Sequence, residues 1–281
     1  CGRGERLTMS NRALRTTLGI AGAAGFLAAA GAHAWARHIE INLFEVREVD
    51  LPILPAGSNQ VRVLHMSDAH MLPDQKKKRD FLRFLASLKP DLVINTGDNV
   101  ASEEAIEPLL ADLAPLLKRP GVFVLGSNDK FAAGRRNIFR YLLPDARPSD
   151  YRERFKKAEL PVGVLTAGLS SGGWKDLSNT RTVVQTTGAD IEFVGVDDAH
   201  LDHDEFPPPS APHTPDHRRH SIKIGVTHAP YKRVLDQFVD DGCELIFAGH
   251  THGGQLAVPG YGALVTNCDL HRSQAKGLSF H

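Results

Sequence analysis

Five short apolar runs in this chain each break off into a polar cluster, and that repetition limits the fold more than any other feature. Val61 to Met66 ends in Ser67-Asp68-Ala69-His70, Leu92 to Asn95 in Thr96-Gly97-Asp98-Asn99, and Val122 to Leu125 in Gly126-Ser127-Asn128-Asp129. Ile222 to Val226 ends in Thr227-His228-Ala229-Pro230, and Leu245 to Ala248 in Gly249-His250-Thr251-His252-Gly253-Gly254-Gln255. The runs read as buried strands, and three intervals carry helical spacing: Asp80 to Leu88, with Phe81, Phe84, Leu85 and Leu88 on one face, then Glu103 to Leu117, and Tyr231 to Val239. Strands alternating with helices imply parallel crossovers and an α/β fold, in which sites collect beyond the carboxyl ends of the strands. All five clusters fall there.

Those ends present Asp68, His70, Asp98, Asn128, His228, His250 and His252. Each histidine alone reads as a satisfied core residue; their recurrence at strand ends points to a metal site. Carboxylate, imidazole and amide oxygen without thiolate suit a pair of Mn, Fe or Zn ions, with Mn favoured, better than a structural zinc. One carboxylate can bridge two cations, and Asp98 is the central candidate. Gly249 lets the backbone turn sharply, so that two imidazoles are offered from one strand end.

The rest of the chain frames this centre. Arg3, Arg6, Arg12 and Arg15 precede an uncharged, Ala- and Gly-rich stretch from Thr16 to Ala36, which reads as an export signal or a single membrane anchor, the anchor favoured. The basic side stays in the cytoplasm, which puts everything after Arg37 outside it, in the cell membrane or envelope. Apolar residues on odd positions from Ile39 to Ile53 predict a strand pair that Pro52 and Pro55 confine to a sheet edge. The expected organisation is therefore a signal or anchor over 1–36, an edge strand and linker over 37–60, and a main domain over 61–281.

Within the main domain, Arg135, Arg136, Phe139, Arg140 and Tyr141 read as an amphipathic face ahead of a substrate-facing cap. Trp174 to Val196 alternates like a hairpin about Thr187-Gly188-Ala189-Asp190 and predicts a second sheet. Pro207 to Pro209, Pro212 and Pro215 mark a flexible loop whose His213, His217 and His220 are solvated. At 281 residues, 42% apolar and 23% charged, the chain can bury one sizeable core. Lys+Arg and Asp+Glu are both 33, so no overall field recruits nucleic acid, and Lys76-Lys77-Lys78-Arg79 reads as a solvated helix start. Cys1, Cys243 and Cys268 form neither a disulfide framework nor a zinc ribbon and leave the compartment open. Oligomeric state is not written in the sequence.

D-x-H, then G-D, then an Asn-containing G-x-N-D loop, then T-H, then G-H-T-H-G-G-Q, in this order, resembles the calcineurin-like metallophosphoesterase superfamily from about Val61 onward. Leader and domain together resemble its exported or membrane-anchored bacterial branch. The resemblance implies a β-sandwich flanked by helices (α/β/β/α) and two divalent ions. Asp68, His70 and His252 would hold one ion and Asn128, His228 and His250 the other, with Asp98 bridging. Two such cations acidify a bridging water, neutralise phosphate and favour direct in-line attack on a phosphoester.

Two departures qualify that likeness. The family's loop reads G-N-H followed by an acid, and here it reads Gly126-Ser127-Asn128-Asp129. Matching Asn to Asn keeps Asn128 as ligand and puts Asp129 in the place of the catalytic His; matching Gly to Gly leaves Ser127 as a poor ligand. The first is preferred, which gives Asp98, Asn128, Asp129 and His250 as the catalytic set. Without that His, good leaving groups such as aryl phosphates or pyrophosphates are favoured, and His200 or a loop histidine is the only substitute in view. The second departure is the end at His281, short of a further expected strand. The leading expectation is an exported phosphohydrolase acting on a phosphorylated small molecule or on a lipid-linked or envelope phosphate. A pyrophosphatase resembling UDP-diacylglucosamine hydrolases and a metal-binding envelope module without turnover are the alternatives.

Overall fold

Each of the five apolar runs that ends in a polar cluster contributes a strand, and these strands lie in two facing sheets. The computed structural model describes residues 11–54, 56–132, 159–186, 188–209, 221–254, 256–258 and 262–281, and the chain divides into two units, Cys1–Val49 and Asp50–His281. In the second unit, β1 (Val63–Met66), β2 (Leu92–Asn95), β3 (Gly121–Phe123) and β4 (Lys175–Asp176) form a parallel sheet in that order. Met66 lies beside Asn95 and Asn95 beside Phe123, so the first three strands end in step and their following loops share one edge. The other sheet runs β5 (Thr180–Gln185), β6 (Asp190–Gly195), β7 (Ser221–Val226), β8 (Leu245–Phe247). Strands β5 and β6 make the expected hairpin, Gln185 opposite Asp190, and β6, β7 and β8 are parallel. β9 (Leu256–Val258) and β10 (Gly262–Val265) pair separately.

Period-two alternation then builds four layers. Leu92, Ile94, Val122 and Val124 from one sheet meet Ile191, Phe193, Ile222, Ile224 and Val226 from the other. On the outer face of the first sheet, Val93, Phe123 and Leu125 pack under α2 (Lys76–Leu85), α3 (Ile106–Leu117) and α4 (Val162–Ser171). On the outer face of the second, Val194 meets Val234 and Phe238 of α5 (Lys232–Asp240). Full burial of a side chain such as Phe193 or Phe238 stabilises the fold by roughly 1.5–3 kcal/mol. The α/β/β/α architecture implied by the resemblance is the one found.

Local expectations need revision. Helix α2 starts at Lys76 and ends at Leu85; its buried residues are Leu82 and Leu85, Phe81 and, in the 3-10 turn that follows, Leu88 pack partly buried beside them, and Phe84 lies 49% exposed. The basic run is not simply solvated. Arg79 Nε meets Asp112 Oδ2 on α3 at 2.6 Å, Arg83 binds the same carboxylate, and Lys78 Nζ donates to the Ala69 carbonyl at 2.6 Å.

The expected edge strand over 37–60 does not form among the described residues: Glu40–Asn42 is a 3-10 turn and no ladder includes Leu43 to Arg62. Alternation needs a neighbouring strand to become a ladder. Here Ile39, Ile41, Leu43 and Val49 are exposed, while Ile53 and Leu54 are partly buried against the sandwich core. In the N-terminal unit, α1 (Asn11–His38) leaves Ile20, Phe26, Leu27 and Trp35 exposed, and Gly19–Asn42 is long and apolar enough to cross a membrane. The Arg135–Tyr141 face and the loop histidines His213, His217 and His220 lie outside the described residues.

Candidate metal centre

The ends of β1, β2, β3, β7 and β8 converge, because β1, β2 and β3 run parallel in one sheet, β7 and β8 run parallel in the other, and the two sheets face one another. Asp68 and His70 are pinned to the neighbouring strand end by N–H bonds to the Gly97 and Asp98 carbonyls, both 2.9 Å. Asp68, His70, Asp98, His250 and His252 all hold φ between 40° and 70°. Non-glycine residues avoid that left-handed region unless the surroundings enforce it, and such strain gathers at functional sites.

All seven candidate ligands come together. Asp98 Oδ2 stands at the middle, 3.5 Å from His70 Nε2, 3.4 Å from His228 Nε2 and 2.6 Å from Asn128 Nδ2. On one side His252 Nε2 is 3.3 Å from Asp68 Oδ1 and 3.1 Å from His70 Nε2. On the other His250 Nδ1 is 3.3 Å from His228 Nε2. Ligand atoms of Asp68, His70 and His252 lie within 4.8 Å of one another, and so do those of Asp68, Asp98 and His228. Asp68 therefore leans toward both groups. The His70 and His252 side chains are 26% and 34% exposed against 0% for His228, so the centre opens on their side.

Three observations test whether these residues fit divalent ions. His228 turns Nδ1 to the Thr96 carbonyl at 2.7 Å and His250 turns Nε2 to the Asn267 carbonyl at 3.1 Å, the backing that fixes the tautomer of a metal-ligating imidazole. A Cβ on Gly126 would stand 2.2 Å from Asp98 Oδ1, and one on Gly249 2.5 Å from Asp68 Oδ2, so both loops approach the carboxylates as only glycine can. The donors are oxygen and imidazole nitrogen throughout. The set fits.

Charge on the buried pair is mutual. Burial opposes ionisation of both, yet Asp98 and His228 hold each other charged: His228 is raised well above the usual imidazole value and Asp98 is pushed well below the usual carboxylate range. Burial, helped by the charge on His228, drives His250 down to about 4, and burial lowers His70.

The Gly126 loop divides its roles differently from expectation. Asn128 touches Asp98 through its backbone N–H at 2.8 Å as well as its side chain, so the residue offered at the centre is Asn128 rather than Ser127. Asp129 does not take the place of the catalytic His. It is fully buried and accepts the N–H groups of Asp98 (2.8 Å), Asn99 (2.7 Å) and Gly126 (3.1 Å) and the Asn99 side-chain amide (3.2 Å). An acid held by four N–H donors ties the Asp98 and Gly126 loops together. His200 does approach the centre, its ring 4.5 Å from that of His250. Thr96 and Asn267 went unseen in the sequence because they act through carbonyls, which carry no residue signature.

A centre of this composition at the joined strand ends of an α/β/β/α sandwich belongs to a metal-dependent phosphoesterase, a hydrolase. The family model of calcineurin-like phosphoesterases matches residues 61–254, and the chain belongs to that family. It is 26% identical to an uncharacterised metallophosphoesterase of Bacillus subtilis, YkuE, over 87% of this chain and 77% of the relative. It is 27% identical to the UDP-2,3-diacylglucosamine pyrophosphatase LpxG of Chlamydia trachomatis, over 80% of this chain and 74% of that one. A Bos taurus transmembrane protein with a metallophosphoesterase domain is 27% identical over 75% of this chain and 45% of its own.

Proposed function

We propose that the chain is a binuclear-metal phosphohydrolase in which Asp68, His70 and His252 hold one ion, Asn128, His228 and His250 the other, and Asp98 is shared. The observation that carries this is the position of Asp98 Oδ2, within 3.5 Å of a histidine from each group. Two divalent ions held there, Mn by preference, would neutralise phosphate charge and supply an acidified water. The chain supplies the rest. Thr96 and Asn267 aim two imidazoles, and Asp68 accepts the His250 N–H at 3.0 Å, which fixes the loop that carries both C-terminal histidines. Asp129 keeps Asp98 and Asn128 in register and offers the leaving oxygen no proton.

That last point favours substrates whose leaving group is already a stable anion. Together with the likeness to LpxG it supports a second reading, a pyrophosphatase acting on a lipid-linked diphosphate. Helix α1, the bovine relative's transmembrane character and the arginines before Thr16 support an anchor that keeps the catalytic unit outside the cytoplasm, beside lipid or envelope phosphates.

The test is turnover of p-nitrophenyl phosphate, its bis ester and a lipid-linked diphosphate with added Mn²⁺, in wild type and Asp98→Ala. Mn²⁺-dependent turnover lost in the variant supports the hydrolase, and preference for the diphosphate supports the second reading. A wild type as inactive as the variant while still binding metal leaves only a binding module.

A further inference from the structure

His250 is held on three sides by residues from distant loops. Its Nδ1 faces His228, its Nε2 meets the Asn267 carbonyl, and its ring packs against His200 with centroids 4.5 Å apart and planes tilted by 48°. His200 is itself fixed: it sits in the turn Ala199–Leu201 after β6, its N–H donating to Asp198 Oδ1 at 2.9 Å, and its Nδ1 lies 2.9 Å from the Tyr231 hydroxyl. That hydroxyl also stands 3.5 Å from the same Asn267 carbonyl. The β6 loop, the start of α5 and the segment after β10 thus close on one imidazole.

Among the described residues the opposite subsite lacks such a frame. His70 and His252 stack on each other with ring centroids 5.0 Å apart, and among the described residues neither has a backbone carbonyl behind its second nitrogen. Outer partners of metal-bound histidines are worth about 10–100-fold in affinity, because they remove the ring's freedom before the ion arrives.

We infer that His200 and Tyr231 are positioning residues that lock His250 in one orientation, so that the subsite of Asn128, His228 and His250 binds its ion more tightly than the subsite of Asp68, His70 and His252. This rests on the two-ion reading above. The experiment is calorimetric titration of the metal-stripped full chain with Mn²⁺, for wild type, Tyr231→Phe, His200→Ala and the double variant. Wild type should bind in two unequal steps. Tyr231→Phe keeps the ring and loses only the hydroxyl; it should weaken the tighter step by about tenfold and leave the weaker one unchanged. His200→Ala should do the same, and the double variant no more than either single, because the two act as one unit. Variants that titrate like wild type, or both steps weakening together with a fall in melting temperature, would overturn the lock. A wild type that binds no Mn²⁺ removes the two-ion reading and the lock with it, whereas two unequal steps indifferent to the variants remove the lock alone.

Discussion

Asn128 grips Asp98 twice, its backbone N–H 2.8 Å from Oδ1 and its side-chain amide 2.6 Å from Oδ2. The amide oxygen and nitrogen occupy nearly equivalent positions, and a half-turn presents the oxygen, a neutral donor for a cation, beside the shared carboxylate. Asn128→Ala should therefore weaken one of two Mn²⁺ binding steps at least tenfold, since a direct ligand is worth no less than the outer partners whose loss costs about 10–100-fold. Titration with turnover on the same preparation checks this.

Asp129 behaves as structure, not chemistry. Asp129→Ala strips the acceptor from three buried backbone N–H groups and from the Asn99 side-chain amide, each worth roughly 1–3 kcal/mol when left unsatisfied, so urea unfolding should show a loss of about 3 kcal/mol or more. The ratio of kcat/KM for p-nitrophenyl phosphate to that for an alkyl phosphate should not move. A general acid would show the reverse: intact stability and a selective loss on the alkyl ester.

Gly126→Ala places a methyl 2.2 Å from Asp98 Oδ1 and 2.7 Å from His228 Cε1. Overpacking of this kind costs typically about 1–3 kcal/mol, but the displaced atoms are ligands. Mn²⁺ affinity should fall by more than stability does, read by titration beside thermal melting. Gly249→Ala should act likewise through Asp68.

The proton on His228 gives a pH signature. Its value is raised, so the ion-free chain carries that proton at neutral pH, and a cation at Nε2 must expel it. Mn²⁺ affinity should rise with pH until the raised value is passed, with proton release seen as a dependence of binding heat on buffer ionisation enthalpy. His250, lowered to about 4, adds nothing above pH of about 5. Without metal the same proton stabilises the fold fully below the unfolded histidine value of about 6.5, and that contribution fades as pH rises through the folded value.

The sandwich and its centre were legible where chemistry and period coincide. Leu92 to Asn95 reads as a strand because every residue is apolar until the carboxyl end, and it folds as one; Asp98 follows at the turn and reaches the centre. Alternation failed at Ile39 to Ile53, because a two-faced pattern does not specify which strand to pair with, and among the described residues no ladder includes this stretch. It failed in detail at α2, where Leu82 and Leu85 take the buried face and Phe84 lies 49% exposed. Asp129 differs for another reason: aligning the loop on Asn128 puts it where the family's catalytic His belongs, and only its four N–H donors reveal a brace. Thr96 and Asn267 contribute carbonyls, for which any residue would serve.

The central claim is that two ions flank one carboxylate. An anomalous difference map from crystals grown with Mn²⁺ tests it most directly. The account predicts two peaks about 3.5–4 Å apart on either side of Asp98, one against His70 and His252 and the other against His228 and His250. A single peak, or peaks away from Asp98, would contradict it.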